Sequence, residues 1–250
     1  MSPSLVSVVM PAYNAQAYIR SAVLSVLSQT YTSWELVIVD DCSTDGTAAL
    51  IDSLAAADER IRVIHASTNA GVAAARNAAI AAARGSHVAF LDSDDGWHES
   101  KLERQMQHME DTGARVCYAP YDRVGDDGRL LSRVRPPAHV SYAQMLRSNY
   151  IGNLTGIYDR SLGDAAFRKV GHEDYVFWLE MVRRAGGASC VPGDQALAYY
   201  LVRDGSVSAD KWRAARWQWR IYRDVAQLGW LSSSQHMCHY AWQAVMKRVV

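Results

Sequence analysis

Asp92-Ser93-Asp94-Asp95 follows without a break on the apolar run His87-Val88-Ala89-Phe90-Leu91. Two carboxylates one residue apart, just past a buried strand, are hard oxygen ligands. They suit Mg2+ or Mn2+, ions that keep several waters and share their remaining positions with phosphates. An acidic surface turn capping the helix that starts near Glu99 has the same sequence pattern. Asp40-Asp41 closes a second such run, Glu35-Leu36-Val37-Ile38-Val39, where a carboxylate can accept hydrogen bonds from a ribose or a base, while Ser43 or Asp45 caps the helix that follows. Asn69-Ala70-Gly71 opens an Ala-rich helix carrying Arg76. Helix N–H groups and a guanidinium both suit anionic oxygens, and an Arg paired to a surface acid is the plainer alternative. Glu173-Asp174 begins an apolar helix. The helix dipole alone favours acids there, yet either one, Asp174 first and Glu173 beside it, can serve as the general base that activates a hydroxyl. His172 is a metal ligand or a packed side chain.

The elements that must position these groups alternate. Leu5 to Val9, Glu35 to Val39, Arg62 to His65 and His87 to Leu91 are strand-sized and recur about every 25–30 residues, the rhythm of βαβ units in a mostly parallel sheet. Between them lie helices with Ile19, Val23, Val26 and Leu27 on one face, then Ala48, Ile51 and Leu54, then Val72 to Ala83. In an open α/β sheet the polar loops after the strands gather at the carboxyl edge, so four loops converge on one crevice. Beyond Trp97 the pattern predicts a helix with Leu102, Met106 and Met109, a strand from Arg115 to Pro120, and a turn at Gly125-Asp126-Asp127-Gly128. It continues with a Ser141-capped helix carrying Tyr142, Met145 and Leu146, a strand from Leu154 to Tyr158, a helix from Asp174 to Arg184 ended by Gly186-Gly187, and a strand from Ala196 to Val202. These strands are expected to extend the same sheet.

With 26 basic against 26 acidic residues among 250, the chain has no global field for a polyanion, which argues against a general nucleic-acid binder. Cys42, Cys117, Cys190 and Cys238 lack the spacing of a disulfide framework or a zinc site and fit a reducing compartment. The run Leu5 to Met10 is too short for a signal-peptide core, and Arg76 and Arg84 interrupt the Ala-rich stretch, so a cytoplasmic protein without a span is expected. From Lys211 onward the chain holds five of its eight Trp and seven basic residues against the single acid Asp224. On a helix Trp212, Ala215, Trp219, Tyr222 and Ala226 share a face beside a stripe of Arg213, Arg216, Arg220 and Arg223, and Cys238 to Val250 adds Tyr240, Trp242, Lys247 and Arg248. This tail packs back on the domain, or attaches peripherally to an anionic membrane at the inner face, or forms a homodimer contact.

Taken in order, Val6 to Asn14, Leu36 to Thr47, Asn69 to Asn77, Phe90 to Asp95 and Glu173-Asp174 closely resemble glycosyltransferase family 2 over about residues 5–210, and Tyr200 to Ser208 is similar to the C-terminal pattern of bacterial envelope-polysaccharide members. The resemblance implies an α/β GT-A fold in residues 1–210, with a nucleotide-binding half (1–97) and an acceptor half (98–210), followed by a helical tail (211–250). It also implies a nucleotide-diphosphate sugar donor, UDP first among carriers, a divalent ion (Mn2+ or Mg2+), inversion at the anomeric carbon, and a saccharide or lipid-linked oligosaccharide acceptor. By the same resemblance Pro11, Tyr13 and Asp41 contact the nucleoside, with Asn14, Asn69, Gly71 and Ser93 lining the donor site. Arg76 lies near the base or phosphates, Asp92 by the ribose or the metal, and Asp94 on the metal. Asp95 stands behind the metal or contacts it, and Asp174 is the base. Where many relatives place a metal-binding His, this chain has Arg203 and Asp204: Asp204 ligates, or water does, or Arg203 neutralises the diphosphate. The alternatives are a nucleotide-sugar-binding protein without turnover, a nucleotidyltransferase lacking the expected Gly- and Lys-rich start, and a DxD phosphatase of the haloacid-dehalogenase type, whose acidic motif follows the first strand and not the fourth.

Overall fold

The computed structural model describes residues 3–163, 165–203 and 211–246, for 211–214 and 240–246 the backbone only. Its strands are β1 (Val6–Ala12), β2 (Trp34–Asp40), β3 (Ile61–His65), β4 (His87–Phe90), β5 (Gly96–Trp97), β6 (Val116–Tyr118), β7 (Tyr121–Val124), β8 (Leu130–Val134), β9 (His139–Val140), β10 (Ile157–Asp159), β11 (Ala188–Cys190) and β12 (Ala198–Leu201). The helices are α1 (Ile19–Leu27), α2 (Thr47–Ala57), α3 (Val72–Ala82), α4 (Lys101–Thr112), α5 (Tyr142–Met145), α6 (Glu173–Ala185), α7 (Lys211–Arg220), which runs into a π-helical turn at Ile221–Val225, and α8 (Trp230–Met246).

Eight strands form the main sheet in the order β3-β2-β1-β4-β10-β6-β11-β9. β3, β2, β1 and β4 run parallel, with Ala12 opposite Asp40 and Val9 opposite Phe90, so the loops leaving these strands share one edge. Strand alternation sorts the two cores. Val6, Val8, Met10, Ala89 and Leu91 belong to one apolar layer with Ile19, Val23 and Val26 of α1; Val9, Val88 and Phe90 belong to the other with Ala73, Ala75 and Ala79 of α3. Alanines let α3 lie close against β1 and β2. Both faces are covered, which explains why these strands read as continuous apolar runs.

Three expectations need correction. The strands after Trp97 do not all extend the main sheet: β5, β12, β7 and β8 form a second, four-stranded sheet. There β12 lies antiparallel to β5 and parallel to β7, so the residues just after the acidic run are tied to the segment that carries Arg203. The expected strand from Leu154 begins instead with a 3-10 turn, Asn153–Thr155, and only Ile157–Asp159 pairs, antiparallel to both β4 and β6. In the tail, the π-helical turn inserts a wider turn that rotates the downstream face. Tyr222 is fully buried in the α6-side core, whereas Trp219 meets Trp230 at a tilt of 50°, with ring centroids 5.7 Å apart. Asp204 to Ser208, the side chains of Trp212, Arg213, Tyr240 and Trp242, and Lys247 and Arg248 lie outside the described residues.

Candidate active site

The loops leaving β1 and β2 are laced together. Asn14 adopts a left-handed backbone (φ 48°), which Asn tolerates better than most residues, and its Oδ1 accepts the Thr44 N–H at 2.8 Å while its own N–H donates to Ser43 Oγ at 3.0 Å. The Ala15 N–H donates to Thr47 Oγ1, and Asp45 receives the Thr47 N–H, the cap expected for α2. Ser43 does not cap that helix; its N–H and hydroxyl both donate to Asp40. Pro11 is buried at the end of β1, and Tyr13 projects, half exposed, beside Asn14.

Asp41 is not left over once the helix is capped. It is buried, and its carboxylate accepts the N–H groups of Ala70 at 2.9 Å and Gly71 at 2.7 Å. The anion attracted to the start of α3 is therefore the chain's own side chain. Gly71 (φ 91°) makes that turn possible, and Asn69 stands exposed at its rim.

Arg76, one turn into α3, is buried and directs Nη2 to both oxygens of Asp92, at 2.6 and 2.8 Å, beneath Phe167. Its Nε has no hydrogen-bond partner among the described residues. The guanidinium also lies within the field of Asp174 and then Glu173. Arg76 thus pairs with the partly buried Asp92 of the acidic run, and its charge is felt at the start of α6.

The three acids of that run take separate partners. Asp94 pairs with Arg203, whose guanidinium lies over Tyr18. Asp95 is buried and accepts the Leu201 N–H at 3.0 Å, which fastens β12 to the site. Ser93 is partly exposed between them. Among the described residues no three His, Cys, Asp or Glu side chains converge to hold an ion, so Asp92, Asp94 and Asp95 do not form one three-acid cage. The donor set still suits a hard cation with few protein ligands. The Asp92 and Asp94 side chains remain 31% and 22% exposed, and burial followed by the charge of Asp92 pushes the Asp94 carboxyl above the ordinary aspartate value. Burial and then Asp92 and Asp94 push Asp95 higher still. This excess of crowded negative charge is what a divalent ion relieves.

The helix α6 follows His172 (φ 49°), which makes no side-chain cap, with Glu173 and Asp174 in its first turn, and Asp174 accepts the Tyr175 N–H. Burial raises the Asp174 carboxyl above its ordinary value and the Arg76 guanidinium opposes that rise, with a smaller upward push from Asp92. Asn149 Nδ2 donates to Asp174 at 3.4 Å. Asn149 was not expected at the site, nor were Tyr121, whose phenol feels Asp174 and Asp95, or Tyr200, which feels Asp95, Asp94 and Asp92. Asn149 and Tyr121 belong to no motif, and Tyr200 opens the Tyr200–Ser208 pattern without a role assigned to it; only strand alternation around 118–124 and 198–201 hints that the two tyrosines face a common side.

The sequence pattern of Glycosyl transferase family 2 matches residues 7–175. TuaG of Bacillus subtilis, named as a teichuronic acid biosynthesis glycosyltransferase, is 37% identical over 248 residues, 98% of each chain. WfgD of Escherichia coli, named as a UDP-Glc:alpha-D-GlcNAc-diphosphoundecaprenol beta-1,3-glucosyltransferase, is 33% identical over 91% of this chain and 88% of its own. Among solved structures, Staphylococcus aureus TarS 1–349 in complex with UDP-GlcNAc superposes with a TM-score of 0.73 at 24% identity, covering 94% of this chain and 71% of that one. A mannosyltransferase from Pyrobaculum calidifontis, with GDP-Man and Mn2+, superposes at 0.70 with 16% identity, over 100% and 76%.

Proposed function

The chain belongs to glycosyl transferase family 2 and has its GT-A architecture, and we propose that it moves a sugar with inversion from a UDP-sugar to a hydroxyl of a lipid-linked saccharide in envelope-polysaccharide synthesis. The observation that carries this reading is the buried Arg76 guanidinium, which holds Asp92 and whose charge is felt at Asp174. It supports reading the metal-side acids and the base as groups of one site. The names of TuaG and WfgD support the envelope setting and the lipid-linked acceptor. Family membership removes the phosphatase reading.

In the proposed reaction Asp174, with its raised affinity for a proton, accepts the acceptor hydroxyl proton as that oxygen bonds to the anomeric carbon. The bond from that carbon to the diphosphate oxygen breaks on the opposite face, and the nucleoside diphosphate leaves. One base suffices for a single displacement, without a covalent intermediate. Mg2+ or Mn2+ would be held by Asp94 and Asp92 and would stabilise negative charge on the diphosphate as a Lewis acid. Arg203, paired with Asp94, is a second positive group for the departing diphosphate. Asp41 orders the Ala70-Gly71 backbone at the nucleoside end, Tyr13 offers an exposed ring to the base, and Asn14 holds the first two loops together.

The tail supports a peripheral setting at an anionic membrane. No helix among the described residues is long and apolar enough to cross a membrane. Trp230 and Leu231, 68% and 90% exposed, project at the start of α8 beside Arg223, whose guanidinium lies 4.6 Å from the Trp230 ring centroid, with Arg216 and Arg220 exposed on α7. Aromatic and apolar side chains next to cations match a headgroup interface.

A panel of nucleotide sugars, tested for transfer to undecaprenyl-diphosphate-linked GlcNAc with and without Mn2+, tests the reading. Product is expected with a UDP-sugar, and Asp174→Asn is expected to lower the rate about 10²-fold or more while donor binding persists. Tight donor binding by the native chain with no transfer or hydrolysis across varied acceptors would establish a sensor instead, and near-native transfer by Asp174→Asn would remove that residue from the role.

A further inference from the structure

The Asp174 carboxylate takes a long hydrogen bond from Asn149, at 3.4 Å, and one from the Tyr175 N–H of its own turn, so its position follows the backbone of the first turn of α6. That turn starts on two consecutive left-handed residues, Gly171 (φ 74°) and His172 (φ 49°), a conformation that persists only when the surroundings impose it. His172 is not held by a polar contact at Nε2, which is buried without a hydrogen-bond partner among the described residues.

What presses on the turn is Trp217 of α7. Its indole occupies the space a side chain on Gly171 would need: a Cβ there would stand 2.2 Å from Trp217 Cδ2. The same ring meets His172 edge to face, with centroids 5.3 Å apart and planes at 88°. α7 itself is anchored. Gln218 donates to the Tyr175 hydroxyl at 3.4 Å, Tyr175 donates to the Met145 carbonyl at 2.8 Å, and Tyr222 donates to the Leu146 carbonyl at 2.7 Å. Ile221 and Tyr222 are fully buried in the same core as α6.

We propose that Trp217 is a positioning residue for Asp174: the tail helix clamps the Gly171–His172 turn with its indole and so fixes where the carboxylate faces the acceptor hydroxyl. The inference rests on the reading of Asp174 as the base. It gives the segment after the sheet a role in transfer that acts through the Gly171–His172 turn. The indole acts on the acceptor side only, because the nucleoside side is built by the loops after β1, β2 and β4.

The test measures kcat for transfer and the Kd for UDP in the full chain, for Trp217→Ala and Trp217→Phe, each in the native and Asp174→Asn backgrounds. Trp217→Ala is expected to lower kcat by roughly 10- to 100-fold, the scale of a misplaced catalytic group, with the Kd for UDP unchanged; Trp217→Phe restores most of the rate. In the Asp174→Asn background Trp217→Ala is expected to cost nothing further, because both changes act through one carboxylate. The proposal is overturned if Trp217→Ala, with a native melting profile, keeps native kcat, if it weakens UDP binding to the same extent as transfer, or if it lowers the residual rate of Asp174→Asn by the same factor. Should Trp217→Ala fail to fold, Trp217→Leu carries the same comparison. Native transfer by Asp174→Asn would instead defeat the reading of the base, whereas loss there with no effect at Trp217 defeats this proposal alone.

Discussion

Lys101, at the first position of α4, is fully buried, with Nζ 3.9 Å from the centroid of the Trp97 ring and no hydrogen-bond partner among the described residues. Burial lowers its pKa from 10.5 to about 7. The folded value lies below the unfolded one, so between pH 7 and 10.5 the unfolded chain binds the extra proton and stability rises with pH. At about 1.4 kcal/mol per unit the whole gap amounts to about 5 kcal/mol, of which about 2 kcal/mol falls between pH 7 and pH 9. Lys101→Met keeps the length of the side chain and removes the titrating amine. It is expected to be more stable than the native chain at pH 7 by about 2 kcal/mol or more, and to lack the native gain between pH 7 and 9. Urea unfolding followed by tryptophan fluorescence at both pH values measures both quantities. A Met variant less stable at pH 7, with an unchanged difference between the two pH values, would refute the reasoning, since it would mean that the ammonium is satisfied where it lies.

Other outcomes follow from the site. Arg76→Met leaves Asp92 without its partner and is expected to cost about 3 kcal/mol in thermal unfolding and to abolish transfer; an unchanged melting temperature would count against the pair. Gly71→Ala meets no atom within 4 Å, so its cost, about 1–3 kcal/mol in denaturant unfolding, is that of the positive-φ extended backbone (φ 91°, ψ 162°), which only glycine adopts readily. Arg203→Ala removes the positive charge beside Asp94 and is expected to tighten Mn2+ binding in the absence of donor by about tenfold, read by calorimetry; weaker binding would place Arg203 in a supporting role to the ion. Trp230→Ser with Leu231→Ser is expected to weaken co-sedimentation with phosphatidylglycerol vesicles by roughly tenfold, and salt-insensitive absence of binding by the native chain would dismiss the membrane surface.

Much of the nucleotide half was legible from residue order. β1, β2 and β4 are short β-branched runs with polar loops behind them, and a parallel arrangement brings those loops to one edge. The Ser141 cap of α5 was legible too, because a capping box is closed by neighbours, here Ser141 and Gln144. The second half was harder. β5 has two residues and β11 three, too few to declare a partner, so nothing local says that β12 joins β5 and β7 in a separate sheet. The π-helical turn after α7 likewise has no local signature; Tyr222, within it, enters the core, and Trp219, before it, meets Trp230, after it.

The chain on its own determined the inventory of the candidate site: acids behind strands, a glycine at the start of α3, an arginine one turn in, and two acids at the start of α6. Those are matters of residue type and spacing, which act over a few residues. Only the tertiary structure decided the pairings. Asp41 closes on the Ala70 and Gly71 amides about 30 residues away, Arg76 holds Asp92 across 16, and Arg203 reaches Asp94 across 109. A buried charge takes whichever partner the packed sheets bring within a few ångströms, and that choice depends on the whole fold and not on neighbours in the chain.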